Sequence, residues 1–257
     1  MMNLSIMKTF QILFRLVFSG SLLAVLTTCS DDEITFSDSL TLEFSAKVNG
    51  QPLVFNSQNY ITASGNEINI DRIKFYISNI ELINTSTSEA FVEQNGYHLV
   101  RLNNEHDTFS FDISGIRSDF QYDKIKYSIG VDEARNMSID NVGDLDPAND
   151  MAWNWNTGYK FFLMEGDFFP EMSSDKQGLV LHIGLGRNFK TQEFLLDVPS
   201  NISGTATMQF DLDPLAPLNG PNVIDLNDKS SFMVDVESDK IAENYASEMI
   251  QLMTTSL

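Results

Sequence analysis

The stretch INIDRIKFYISNIELIN, Ile68 to Asn84, decides how the rest of the chain is read. It is rich in isoleucine and aromatics, with polar residues set between them, the composition of a pleated, half-buried surface. Ile73, Phe75 and Ile77 share one parity, whereas Ile80 and Leu82 fall on the other. A strand keeps one face only at a strict two-residue period, so the change of parity predicts a bulge near Ser78–Asn79.

Outward from this segment the same signal repeats. In LEFSAKV the residues Leu42, Phe44, Ala46 and Val48 line one face, and Asn49-Gly50 marks a hairpin turn with PLVF (Pro52–Phe55) returning. YHLVRL (Tyr97–Leu102), TFSFDI (Thr108–Ile113) and DKIKYSIGV (Asp123–Val131) read as further strands. So do GYKFFLMEGDF (Gly158–Phe168), GLVLHIGL (Gly178–Leu185), EFLLDV (Glu193–Val198) and TATMQFDL (Thr205–Leu212). Many short strands separated by Gly, Asn and Asp turns predict a mainly β fold, an antiparallel β-sandwich. Only SDKIAENYASEMIQLM looks helical: Ile241, Tyr245, Met249 and Leu252 make one apolar stripe, with Ser238 placed to cap it. That C-terminal α-helix is expected to close the sandwich.

The N-terminal residues differ from the body. Residues 1–28 contain no acidic side chain, carry Lys8 and Arg15, and run apolar from Leu16 to Leu26. This is the pattern of a secretory signal, too short for a membrane span; Met7, followed by Lys8, is a second candidate start. Cys29, the one cysteine of the chain, closes the apolar run in LTTC, which resembles a bacterial lipobox. The expectation is a lipoprotein whose Cys29 is acylated (palmitate among the chains), with residues 29–39 as an acidic tether and 40–257 as the sandwich. Acyl chains contribute about 0.8 kcal/mol per buried CH₂, so such an anchor holds the protein at a membrane. SDDE after the cysteine (Ser30–Glu33) points to an outer-membrane lipoprotein of a Gram-negative cell envelope, and those acids resemble a surface-export signal, so display at the cell surface is a further expectation. One cysteine leaves no disulfide to staple the fold.

The formal net charge of the 257 residues is −20, and removing the leader with its two cations leaves −22. A surface of that sign repels nucleic acid, so nucleic-acid partners are excluded, and it favours cations. There is no HExxH, GxSxG or glycine-rich phosphate loop. Of the three histidines, His98 lies in a strand, His106 in the polar turn NNEHD, and His182 in GLVLHIG. Both tryptophans, Trp153 and Trp155, stand in MAWNWNTGY (Met151–Tyr159), directly after the acidic run GDLDPAND. Met151, Trp153 and Trp155 share a parity if the segment is extended. Thioether and imidazole suit Cu(I). The same segment also reads as an aromatic plug, or as a stacking platform for a glycan on a cell-surface module. Asp144, Asp146 and Asp150 are candidate calcium ligands for that second reading, although their spacing departs from an EF-hand loop.

FYISNIEL (Phe75–Leu82), YSIGVDEARN (Tyr127–Asn136), GDLDPANDMAWNWNTGYKFFLMEG (Gly143–Gly166) and LHIG (Leu181–Gly184) together resemble the MbnP-like copper-binding family, and KIAENYASEM (Lys240–Met249) is similar to its closing helix. The family takes its name from a methanobactin-associated periplasmic protein. The resemblance implies a secreted β-sandwich that binds copper without catalytic turnover. It further implies copper ligation by histidine and by a tryptophan oxidised to kynurenine, the oxidation being carried out by a di-haem peroxidase-type partner. On the matching positions the metal ligands would be His182 and Trp153, with Trp155 and Met151 as further candidates.

Overall fold

A computed structural model describes residues 38–138, 140–153, 158–171, 173, 175–202 and 204–256. Residues 1–28, Cys29 and nearly all of the expected tether lie outside the described residues, as does Trp155. In chain order the strands are β1 (Asp38–Val48), β2 (Gln51–Pro52), β3 (Tyr60–Ile61), β4 (Glu67–Ile83), β5 (Ala90–Val92), β6 (Tyr97–Asn103) and β7 (Thr108–Ile116). There follow β8 (Gln121–Ile129), β9 (Lys160–Phe169), β10 (Gln177–Gly184), β11 (Lys190–Asn201), β12 (Thr205–Leu212), β13 (Ser231–Phe232) and β14 (Ile250–Ser256). Two single-turn helices, α1 (Glu133–Asn136) and α2 (Ala216–Asn219), precede the longer α3 (Val236–Glu248).

The first sheet runs β14–β12–β1, with β7 on the far edge of β1 and β2 folded back on its end. Asn49 and Gly50 at that fold both have positive φ, 52° and 75°, as a tight two-residue hairpin requires. The second sheet is organised by β4. Ile77 pairs with both His98 of β6 and Ile129 of β8, and Phe75 with both Val100 of β6 and Phe162 of β9. A strand has only two edges, so β9 and β8 follow one another along one edge of β4 while β6 straddles their junction on the other. Beyond β9 come β10 and β13, and beyond β8 comes β11. Most pairings are antiparallel as expected, but β1–β12 and β10–β13 are parallel, so both sheets are mixed.

The expected bulge in β4 is present. Its register against β8 shifts between Ser78 and Glu81, and Asn79 takes φ 54°. Ile77 and Ile80 are consequently both turned to the same buried core. A second shift, between Ile70 and Arg72, keeps Ile70 and Ile73 inward together. The core between the sheets is aromatic: Phe44 of the first sheet meets Phe75 of the second edge-on at 6.0 Å and stacks on Phe210 at 5.1 Å. Helix α3 seals it with Ile241, Ala242 and Tyr245, joined by Met249 just past its end, and Tyr245 lies 5.5 Å from Phe162. The helix begins earlier than its stripe suggests. Asp235, and not Ser238, is the cap, accepting from the Ser238 amide, and the chain after Met249 returns as β14 and carries Leu252 into the first sheet.

Candidate functional site

Tyr76 has the parity opposite to Phe75 and Ile77, yet it is fully buried. It belongs to a second apolar cluster on the outer face of the second sheet, with Leu99, Phe161 and Leu163 from the strands. Val131, Leu145, Met151 and Tyr159 complete that cluster, so the segment between β8 and β9 roofs this face. The roof is pinned by polar contacts. Tyr76 Oη donates to the Asp144 carbonyl at 3.0 Å, Tyr159 Oη to the Leu145 carbonyl at 2.7 Å, and Asn136 Oδ1 accepts from the Tyr159 amide at 2.9 Å. Gly158 is required where it is, because its φ of 111° suits glycine and a Cβ would come within 2.8 Å of Asn136 Oδ1.

The acidic run is thereby explained as structure. Asp144 accepts from the Leu99 amide at 2.8 Å and from Arg101 at 3.0 Å, covering an edge amide of β6, and Asp146 caps the short turn Pro147–Asn149 through the Ala148 amide. Asp150 is exposed with φ 63°. Among the described residues no group of three or more His, Cys, Asp or Glu side chains is placed to hold an ion, so the calcium reading of Asp144, Asp146 and Asp150 finds no support here.

Met151 and Trp153 diverge in surroundings despite their shared parity. Met151 is fully buried in the roof cluster, and its carbonyl accepts from the Lys160 amide. Trp153 leaves the roof and lies on β10: a Cβ at Gly184 would stand 3.0 Å from Trp153 Cζ2 and 3.1 Å from Nε1. Only 6% of Trp153 is exposed, which leaves little ring face for stacking a sugar. Gly184 and His182 are two residues apart in β10 and share the outer face, so the indole and the imidazole border one open cleft of about 570 Å³. Arg72, Asp150, Lys160 and Met233 also line it.

His182 is held in one orientation. Its Nε2 lies 2.7 Å from Glu165 Oε1, and the other carboxylate oxygen is bound by Arg72 Nε at 2.6 Å. The hydrogen bond from His182, reinforced by Arg72, brings the Glu165 carboxyl down to about 2, so it is ionised at neutral pH and can only accept. Nε2 must therefore carry the proton of this hydrogen bond, and in the neutral ring Nδ1 bears the lone pair. This carboxylate–imidazole arrangement is the support typical of metal-binding histidines. Two lysines complete the surroundings: Lys74 donates to the Asn149 carbonyl at 3.0 Å, and Lys160 to the Asp150 carbonyl at 2.7 Å with its ammonium 5.8 Å from the Trp153 ring. Burial lowers the pKa of both.

The remaining histidines are elsewhere. His98 has the parity opposite to the roofed Leu99, stacks on Phe111 at 3.8 Å and bonds Glu93 at 3.0 Å, while His106 is exposed in the β6–β7 turn. Sequence reasoning did not single out Glu165, Arg72 or Met233. The one available signal was Glu165 itself, a charge inside the apolar run KFFLMEGDFF.

Fold and cleft define a mixed β-sandwich whose second sheet carries, on its outer face, a roofed patch and a cleft containing a carboxylate-oriented imidazole and a buried indole. The chain belongs to the MbnP family, whose sequence profile matches residues 37–235. Among solved structures, MbnP from Methylosinus trichosporium is similar in fold, with a TM-score of 0.52 and 14% sequence identity over 79% of this chain and 86% of that one. A search of curated proteins finds no match. No helix among the described residues is long and apolar enough to cross a membrane.

Proposed function

We propose that this protein is a copper-holding protein of the cell envelope, tethered through an acylated Cys29, with His182 and an oxidised Trp153 as ligands. Copper is its cargo, captured or delivered without turnover. The observation that carries the reading is the chain Arg72–Glu165–His182 beside an indole seated on Gly184. Glu165 fixes the tautomer that leaves Nδ1 as a donor, and the buried indole borders the same cleft. The donor set fits a soft, low-coordinate ion better than a hard one, since carboxylates are few at the cleft and an imidazole is present. Oxidative cleavage of the Trp153 indole C2–C3 bond, with two equivalents of peroxide reduced to water through a di-haem peroxidase-type partner, gives N-formylkynurenine, and hydrolysis then releases C2 as formate to leave an aryl amine and a ketone. That amine adds a nitrogen donor next to His182, and the fixed seat on β10 keeps it there.

The test is a copper and mass analysis of the protein isolated from its native envelope. Copper near one equivalent, a mass change corresponding to kynurenine at Trp153, and loss of copper in His182→Ala are expected. An unmodified Trp153 together with no copper above background overturns the reading. Lipid on Cys29 is checked separately by mass analysis of the N-terminal peptide.

A further inference from the structure

Met233 was no part of any motif, yet the fold brings it to the same cleft as His182. β10 and β13 pair in parallel, with Val180 opposite Ser231 and Leu181 opposite Phe232. Leu181 and Phe232 are both buried in the core between the sheets. His182, next along β10, alternates to the outer face, and Met233 follows directly on the end of β13, in a bend, where it too lines the cleft. β10 and β13 run about 4.8 Å apart up to the Leu181–Phe232 pair, one residue before His182 and Met233, so an imidazole and a thioether leave that pair on neighbouring segments. Both side chains line the cleft that Trp153 borders.

We propose that Met233 is a thioether ligand paired with His182 and that the cleft therefore takes copper as Cu(I). This rests on the copper reading of the same cleft and deepens it. Three features point the same way. A thioether is a soft, uncharged donor that selects Cu(I) over harder ions. Among the described residues no group of three or more His, Cys, Asp or Glu is placed to hold an ion, and Glu165 is engaged by His182 and Arg72, which leaves the Met233 sulfur as a donor on the same cleft. Arg72 and Lys160 line the same cleft, and positive charge at that range penalises a divalent ion more than a monovalent one. The near-complete burial of Trp153 adds an apolar wall on one side.

The experiment uses the full chain with methyl-labelled methionine, wild type and Met233→Leu, titrated with Ag(I) as a diamagnetic stand-in and with Cu(I) and Cu(II) against chromogenic chelators. Leucine matches methionine in volume, so the fold is retained, which an unchanged melting temperature verifies. The Met233 methyl resonance should move on Ag(I) addition, and Met233→Leu should weaken Cu(I) about tenfold or more while shifting Cu(II) affinity less than about threefold. A stationary methyl and unchanged Cu(I) affinity in Met233→Leu, with binding still lost in His182→Ala, overturns the thioether ligand and leaves the copper reading standing. No copper binding by the wild-type chain in either oxidation state overturns both.

Discussion

Replacing Glu165 by glutamine removes a charge while keeping the shape and an acceptor for His182. The ordinary carboxyl value is 4.5 and the folded value is about 2. Each pKa unit is worth about 1.36 kcal/mol, so the unscreened linkage approaches ~3 kcal/mol. Glu165 is 25% exposed and Arg72 40% exposed, and solvent screening at such a site reduces the contribution to on the order of 1–2 kcal/mol. The folded pKa is depressed. The stabilisation is therefore fully present above the unfolded value, near 4.5, and is lost as pH falls through the folded value, near 2. By about pH 3 less than half of it remains. Urea unfolding of wild type and Glu165→Gln from pH 7 to pH 2.5 measures this directly, because other carboxylates titrate alike in both. The variant should be less stable by roughly 1–2 kcal/mol at pH 7, with the two curves converging below pH 4. A difference that stays constant across that range would refute the ionised Glu165 between His182 and Arg72, and with it the tautomer argument for Nδ1.

Gly184→Ala places a Cβ 2.4 Å from the Tyr159 carbonyl and 3.0 Å from the Trp153 ring, so the indole or the backbone must move. A loss of roughly 1–3 kcal/mol by urea unfolding is expected, with a red-shifted Trp153 emission in a Trp155→Phe background; an unshifted spectrum contradicts the seat. Asp235→Ala removes the cap of α3, whose carboxylate accepts from the Ser238 amide at 3.0 Å and from Lys229. About 1–2 kcal/mol should be lost, whereas Ser238→Ala should cost less, and the reverse order in thermal melts would restore Ser238 as the cap.

Much of the fold was legible because alternation reports directly which face of a strand is buried. TATMQFDL is found as β12 over the same residues, Thr205–Leu212, and the parity change after Ile77 marks a true bulge. Asn49-Gly50 needed only local sterics, since both residues must accept positive φ. The shift at Arg72 was missed because Asp71 and Arg72 are polar on either face and leave no parity signal. Strand β14 was missed because its apolar residues continue the helical stripe of α3. The site was legible only in part: Trp153 and His182 fall in motifs, and the cleft brings both to one face.

The sequence by itself determined most of the longer strands with their buried faces, the closing helix and the family to which the chain belongs. Tertiary structure alone decided that Ser39 pairs with Thr205, that Glu165 meets Arg72 and His182, and that Met233 and His182 line one cleft. The reason is physical. A side chain's periodicity is set by the local backbone geometry of its own strand, whereas strand order and register are set by hydrogen bonding between segments far apart in the chain, which no local pattern encodes.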